Sequence, residues 1–215
     1  GTYEINSYRP IGFPLIVGVA LWLTGYSLAG AQIVLIFLSS LRAPFLYGLA
    51  KRITNNEWVA ILSGIFITIW PSILYFSSSY FSESVSLPLF IAFLWAIPSQ
   101  IPPYWRWILL GLFFGIVILI HPMFFMFLPF VFLIIAFENR VFFKAMLPFI
   151  IFVIGAAIVI APWSYSVTKK ENRFILLSAN GADAIAGGIN PNLMQGYKIT
   201  PNYKGRTTVI GPGLW

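Results

Sequence analysis

Residues 107–137 read WILLGLFFGIVILIHPMFFMFLPFVFLIIAF, an uncharged run interrupted near its middle by His121-Pro122. A membrane crossing takes about 20 apolar residues, so the run is long for one span and short for two. Proline removes a backbone donor and clashes with the preceding turn. The run therefore forms either one long kinked helix or two short helices meeting at His121. Charge placement decides between them. Arg42, Lys51, Arg52, Arg106, Arg140 and Lys144 read as residues of short connections, and the positive-inside rule gathers such residues on one side. The runs 58–76 and 84–97 return the chain to the side of Lys51 and Arg52, with Arg106 there. Only a hairpin at His121 keeps Arg140 and Lys144 on that side as well. Each arm then reaches about 21 Å at 1.5 Å per residue, which puts the bend in the outer leaflet.

Outward from this hairpin, apolar runs recur at 11–23, 28–50, 58–76, 84–97 and 145–163. The chain is 59% hydrophobic and 9% charged, against about 25% charged in an average soluble domain. The expected fold class is all-α, a polytopic integral membrane protein in which 28–50, 58–76 and 145–163 are long enough to cross. The 11–23 run is too short, contains Pro14 and has Trp22 and Tyr26 at its far end. It suits a juxtamembrane helix lying in the interface. After Trp163 the chain turns polar. Residues 1–163 are expected to form the membrane portion, and 164–215 an extracytoplasmic segment with turn clusters at Gly187–Asn192 and Pro201–Gly205. The sequence starts at Gly1 with no initiator Met and no signal-peptide pattern, the expectation for an internal portion of a longer polypeptide.

Several function classes drop out. Without cysteine there is no disulfide framework and no thiolate metal site. A single histidine excludes a multi-histidine metal cage. No Ser/His/Asp hydrolase motif, P-loop or GxGxxG with an acidic partner is present. The net charge of +7 suits an anionic lipid surface or phosphate-bearing lipids. The basic residues are not interleaved on one polar segment, so nucleic acid is not an expected partner.

Glu83 stands in Tyr80-Phe81-Ser82-Glu83-Ser84-Val85-Ser86-Leu87, with no charged residue back to Glu57 or forward to Arg106. A carboxylate at membrane depth costs about 2.5–3.5 kcal/mol on insertion scales, and chains that keep one usually use it. The alternative is an acid at a helix N-terminus in the headgroup region, where the helix dipole favours it. The hairpin topology puts Tyr8-Arg9, Glu83, His121 and Pro162-Trp163 on one side, so elements far apart in sequence converge on one face. Trp70, Trp95, Trp105, Trp107 and Trp163 fall mostly near span ends and read as interfacial anchors.

Four stretches together resemble a family. Tyr8-Arg9-Pro10-Ile11-Gly12-Phe13-Pro14-Leu15 resembles the R-P-P-G-Y-P-L segment of bacterial relatives of the protein mannosyltransferases. Ser77-Ser78-Ser79-Tyr80-Phe81-Ser82-Glu83-Ser84 resembles their S…S-E segment at the outer end of a helix. Gly111 to Pro122 is similar to G-L-x-x-G-L-x-x-L-T-R-P. Ala161-Pro162-Trp163, followed by Ser178-Ala179-Asn180-Gly181 and Gly188-Ile189-Asn190-Pro191, resembles P-W, S-T-N-G-G and G-N-N-P. The resemblance covers nearly the whole chain in order and spacing. It points to membrane glycosyltransferases of the GT-C fold, of the dolichyl-phosphate-mannose and lipid A aminoarabinose transferase type.

The resemblance implies a helix bundle with a juxtamembrane helix. It also implies transfer of a sugar from a polyprenyl-phosphate donor to a lipid, glycan or protein acceptor at the extracytoplasmic face of the plasma membrane. Arg9 takes the place of the family's basic residue before proline and is expected toward the donor phosphate, which guanidinium binds bidentately. The alternative is an interfacial arginine snorkelling to headgroups. Glu83 matches the family's second acidic position, expected to face sugar or acceptor. His121 stands where relatives often carry Arg or Lys, and a neutral imidazole there can donate one hydrogen bond. Its alternative is to satisfy the helix broken at Pro122. The family's catalytic base is an acid in the first extracytoplasmic loop, expected upstream of this chain, and Glu4 is not at its place. Some relatives use a divalent ion, but one Glu and one His do not establish a metal site, so no cofactor is assigned. Two other readings remain open: a non-catalytic subunit of a larger membrane complex on the same fold, and a transporter of lipid-linked sugars, which would need paired repeats or broken helices.

Overall fold

A computed structural model describes residues 9–98, 102–140, 142–178, 198–201 and 207–210. The described chain is helical up to Glu171, with one short antiparallel hairpin beyond it. The first helix, α1 (Gly12–Leu23), is the short element expected near the interface. It ends where Thr24 turns its hydroxyl back onto the Ala20 carbonyl, 2.8 Å away. Helices α2 (Leu28–Ser40) and α3 (Arg42–Thr54) follow and together form one apolar helix of 27 residues, about 40 Å long at 1.5 Å per residue. Pro44 has no N–H for the Ser40 carbonyl, which accounts for the irregularity at Leu41. Leu41 stays in the right-handed helical region, so the helix continues through it.

This corrects the sequence reading of Arg42. It is not in a connection but well inside the span, buried at 5% exposure. Its Nη1 donates to the Ser39 carbonyl at 3.1 Å and also bonds Ser39 Oγ, while its Nε has no partner. The true reversal comes at Asn55-Asn56. Asn55 adopts φ +48, and Asn56 caps α4 (Glu57–Ile69) by accepting from the Trp58 and Val59 amides. Left-handed tolerance and N-cap preference are what asparagine supplies.

The run 58–76 is not one straight crossing. Trp70 is extended and Pro71 opens α5 (Pro71–Ser77), leaving a bend of 59° between α4 and α5. A residue before proline is pushed out of the helical region, and that restriction makes the break. Next come α6 (Glu83–Ala96), α7 (Pro103–Ile120), a 3-10 segment (Pro122–Phe127), α8 (Leu128–Asn139) and α9 (Phe142–Glu171). The helices Leu28–Thr54, Pro122–Asn139 and Phe142–Glu171 are long and apolar enough to cross a membrane, and the bent α4–α5 pair makes a fourth if counted as one span.

The hairpin at His121 forms. Arg106, at the start of α7, reaches Glu138, at the end of α8, with Nη2 2.6 Å from Oε2, so the two arms run antiparallel. That end of the bundle also holds the Lys51–Glu57 pair at 2.7 Å and the Arg52 guanidinium, which donates to the Trp95 carbonyl at 3.0 Å. The core lies where α7 crosses α9. Phe93, Trp107, Phe114, Phe152 and Ile135 are fully buried there. Trp107 and Trp163 belong to buried clusters, correcting their reading as interfacial anchors. Trp105, by contrast, is exposed. A Cβ on Gly111 would lie 2.1 Å from the Phe152 carbonyl oxygen, and one on Gly155 2.5 Å from that of Ile108. Small residues let the backbones meet, as in many membrane helix pairs.

Helix α9 runs two turns beyond Trp163, into the polar stretch that begins at Ser164. The segment after it folds back along the helix. Trp163 Nε1 donates to the Leu177 carbonyl and Ser164 Oγ to that of Ile175, at 2.7 and 2.8 Å. Strands β1 (Lys198–Pro201) and β2 (Thr207–Ile210) pair antiparallel, Lys198 opposite Ile210. They are rich in the β-branched residues that strands favour. Among the described residues this hairpin is the one departure from an all-helical architecture.

Candidate functional site

The end of the bundle opposite Lys51 and Arg106 is marked by the Tyr80 hydroxyl donating to the Leu28 carbonyl. Here α1 begins against the end of α7. A Cβ on Gly12 would sit 2.5 Å from the Leu119 carbonyl oxygen, so only glycine permits this approach. Phe13, Ile16 and Val17 of α1 pack on a buried cluster of Leu35, Val85 and Ile120. The contact draws the start of α1, the start of α6 and the end of α7 together.

Between them lies a cavity of about 290 Å³ lined by Arg9, Pro10, Phe13, Pro14, Phe81, Ser82, Glu83, Ile120, His121 and Pro122. All three residues singled out in the sequence, Arg9, Glu83 and His121, are on its wall. Trp163 is not; it packs with Val167, Ile175 and Leu119 behind α7. Tyr8, Glu4 and the turn residues Asn180, Gly181, Asn190 and Pro191 lie outside the described residues.

Each side chain is placed by a local rule. Glu83 is the first residue of α6, where the helix dipole favours a carboxylate. It is half-buried and lines the cavity from that helix start. His121 ends α7 in an extended conformation, φ −144 and ψ 100, because Pro122 follows. Its N–H closes the last turn onto the Val117 carbonyl. Its ring does not cap the broken helix but reaches across to α6, where Nδ1 lies 2.9 Å from Ser82 Oγ. Ser82 Oγ in turn donates to Glu83 Oε2 at 3.2 Å. Arg9 is exposed, consistent with a charged head at a cavity mouth.

Ser82 was not singled out in the sequence, yet it joins the two functional candidates. A hydroxyl has one proton. If it donates to the Glu83 carboxylate, its oxygen accepts from His121 Nδ1–H. Neutral His121 then presents Nε2 as an acceptor, and only the imidazolium has a second N–H for an anion. The geometry thus separates the cavity chemically: a fixed positive charge at Arg9, and a carboxylate–hydroxyl–imidazole chain facing it. Among the described residues no group of three His, Asp or Glu side chains could hold a metal ion. A comparison with protein-family models, curated proteins and solved structures finds no match to this chain.

Proposed function

We propose that this protein is a membrane glycosyltransferase that takes a sugar from a polyprenyl-phosphate donor at the extracytoplasmic end of the bundle. The observation that carries the reading is the convergence of Arg9, Glu83 and His121, from three separate helix ends, on one cavity. Arg9 binds the donor phosphate through charge-assisted hydrogen bonds and stabilises negative charge on the leaving phosphate. Glu83 orients a hydroxyl of the sugar or acceptor. His121, held by Ser82, accepts a hydrogen bond from such a hydroxyl when neutral and adds to the phosphate site when protonated. In the transfer, the acceptor oxygen forms the new bond to the anomeric carbon as the bond from that carbon to the phosphate oxygen breaks, the phosphate departs with the electron pair, and the proton of the acceptor hydroxyl passes to the departing phosphate.

Native mass spectrometry of the gently solubilised protein tests this reading. A polyprenyl-phosphate adduct is expected, weakened roughly 10- to 100-fold in Arg9→Ala, the loss that removing a charge-assisted contact entails. Absence of such an adduct, with stable partner subunits instead, would favour the non-catalytic subunit of a larger membrane complex.

A further inference from the structure

A second cavity, of about 270 Å³, lies against the same two residues. It is lined by Ile73, Phe76, Glu83, Ser86, Leu87, His121, Met123, Phe124 and Phe127. Glu83 and His121 therefore line both cavities. The first carries Arg9; the second is walled almost wholly by aromatic and aliphatic groups. Its Met123 is 69% exposed, and it belongs to an apolar helix that buries little of its surface, so the second cavity opens toward the hydrocarbon of a bilayer.

Ser86 marks this cavity as more than a packing gap. It is 1% exposed, and its Oγ has no hydrogen-bond partner. Other hydroxyls in these helices bond a carbonyl three or four residues back, as Ser63, Thr68, Ser77 and Ser84 do. That back-bond is the ordinary fate of a buried helical serine. A buried polar group without a partner costs free energy, and Ser86 stands one turn beyond Glu83 on the same face of α6. Its free hydroxyl and the Glu83 carboxylate together offer a polar end to an otherwise apolar chamber.

We propose that this chamber receives the hydrocarbon portion of a lipid-borne acceptor whose hydroxyl end hydrogen-bonds Ser86 and Glu83. The name acceptor rests on the glycosyltransferase reading; occupancy by a hydroxyl-bearing chain does not. With the donor phosphate held at Arg9 in the first cavity, the acceptor meets Glu83 and His121 from the second. The acceptor class is then an amphiphile within the bilayer rather than a water-borne sugar or peptide.

Photolabelling of the protein in lipid nanodiscs tests this with two probes, hexadecanol carrying a mid-chain diazirine and a polyprenyl phosphate carrying a diazirine in its isoprenoid chain. The alcohol is expected to label the peptide containing Met123, Phe124 and Phe127. Ser86→Ala should reduce that labelling about two- to tenfold, the loss of one hydrogen bond, and Leu87→Trp should block it by filling the chamber. Arg9→Ala should leave it unchanged. Labelling of the same residues by the phosphate probe, lost in Arg9→Ala, would assign the chamber to the donor's tail and overturn the proposal. Alcohol labelling indifferent to both Ser86→Ala and Leu87→Trp would reduce it to contact with bulk lipid. A chamber that labels while no polyprenyl phosphate binds near Arg9 would instead sink the transferase reading and leave the alcohol site standing.

Discussion

Ser82 and Arg42 show how single side chains settle what a pattern of types leaves open. Ser82→Ala would leave His121 Nδ1 without its partner in a half-buried position, an expected loss of about 1 kcal/mol visible as a lower unfolding midpoint in detergent. An unchanged midpoint would mean that the Ser82–His121 contact contributes nothing. Arg42 calls for the opposite expectation. Its charge is buried and leans on Ser39 alone among the contacts described, and a buried charge is often no more stabilising than an apolar group of similar size. Arg42→Met should therefore lie within about 1 kcal/mol of the parent, while Ser39→Ala, which strips a hydroxyl from a charge that stays buried, should cost about 1–3 kcal/mol. Chemical denaturation of the two variants decides the order. Arg9, Glu83 and His121 were legible because charge and imidazole are rare in this chain. Ser82, Ser86 and Gly12 were not, because serine and glycine are common here and their roles depend on which neighbour the fold brings up.

Among elements, the α7–α9 crossing admits the sharpest test. Gly111→Leu would drive a side chain into the Phe152 carbonyl, and the helices would have to part, at a cost of about 3 kcal/mol or more. Gly18→Ala in α1, where a Cβ would meet nothing within 4 Å, should be neutral or stabilising by up to about 1 kcal/mol from helix propensity. Comparable losses in the two variants would contradict this packing. The Arg106–Glu138 pair, with Glu138 substantially exposed, should show a coupling of less than about 1 kcal/mol in a double-mutant cycle; it marks the hairpin more than it holds it. The hairpin could be read from charge placement because the rule acts over whole connections. The bend at Trp70-Pro71 does not show in hydropathy, which sums across a proline that changes direction without changing polarity.

At the scale of the whole molecule, much of the apolar surface stays uncovered: Trp22, Ile33, Phe37, Trp58, Phe137 and Phe143 are all exposed. A bilayer accounts for such a surface, and the arrangement of ends predicts which residues share a side. Because the chain has no cysteine, single substitutions give unique labels. With the hairpin as described, Thr54→Cys and Asn139→Cys should react with a membrane-impermeant maleimide from one side only, and Ser78→Cys and Lys169→Cys from the other. Reaction of Asn139→Cys and Lys169→Cys from the same side would overturn the antiparallel order of α8 and α9. The contact of Gly12 with the Leu119 carbonyl also sets a timetable. During synthesis Arg9 leaves the ribosome before His121, which emerges only after α1 to α7 have been made. Neither the pocket at Arg9 nor its apolar neighbour has its His121 wall until α7 is made, so a chain translated only as far as α6 has nowhere to hold a ligand, and the docking of α7 against α1 decides when the molecule first becomes able to bind one.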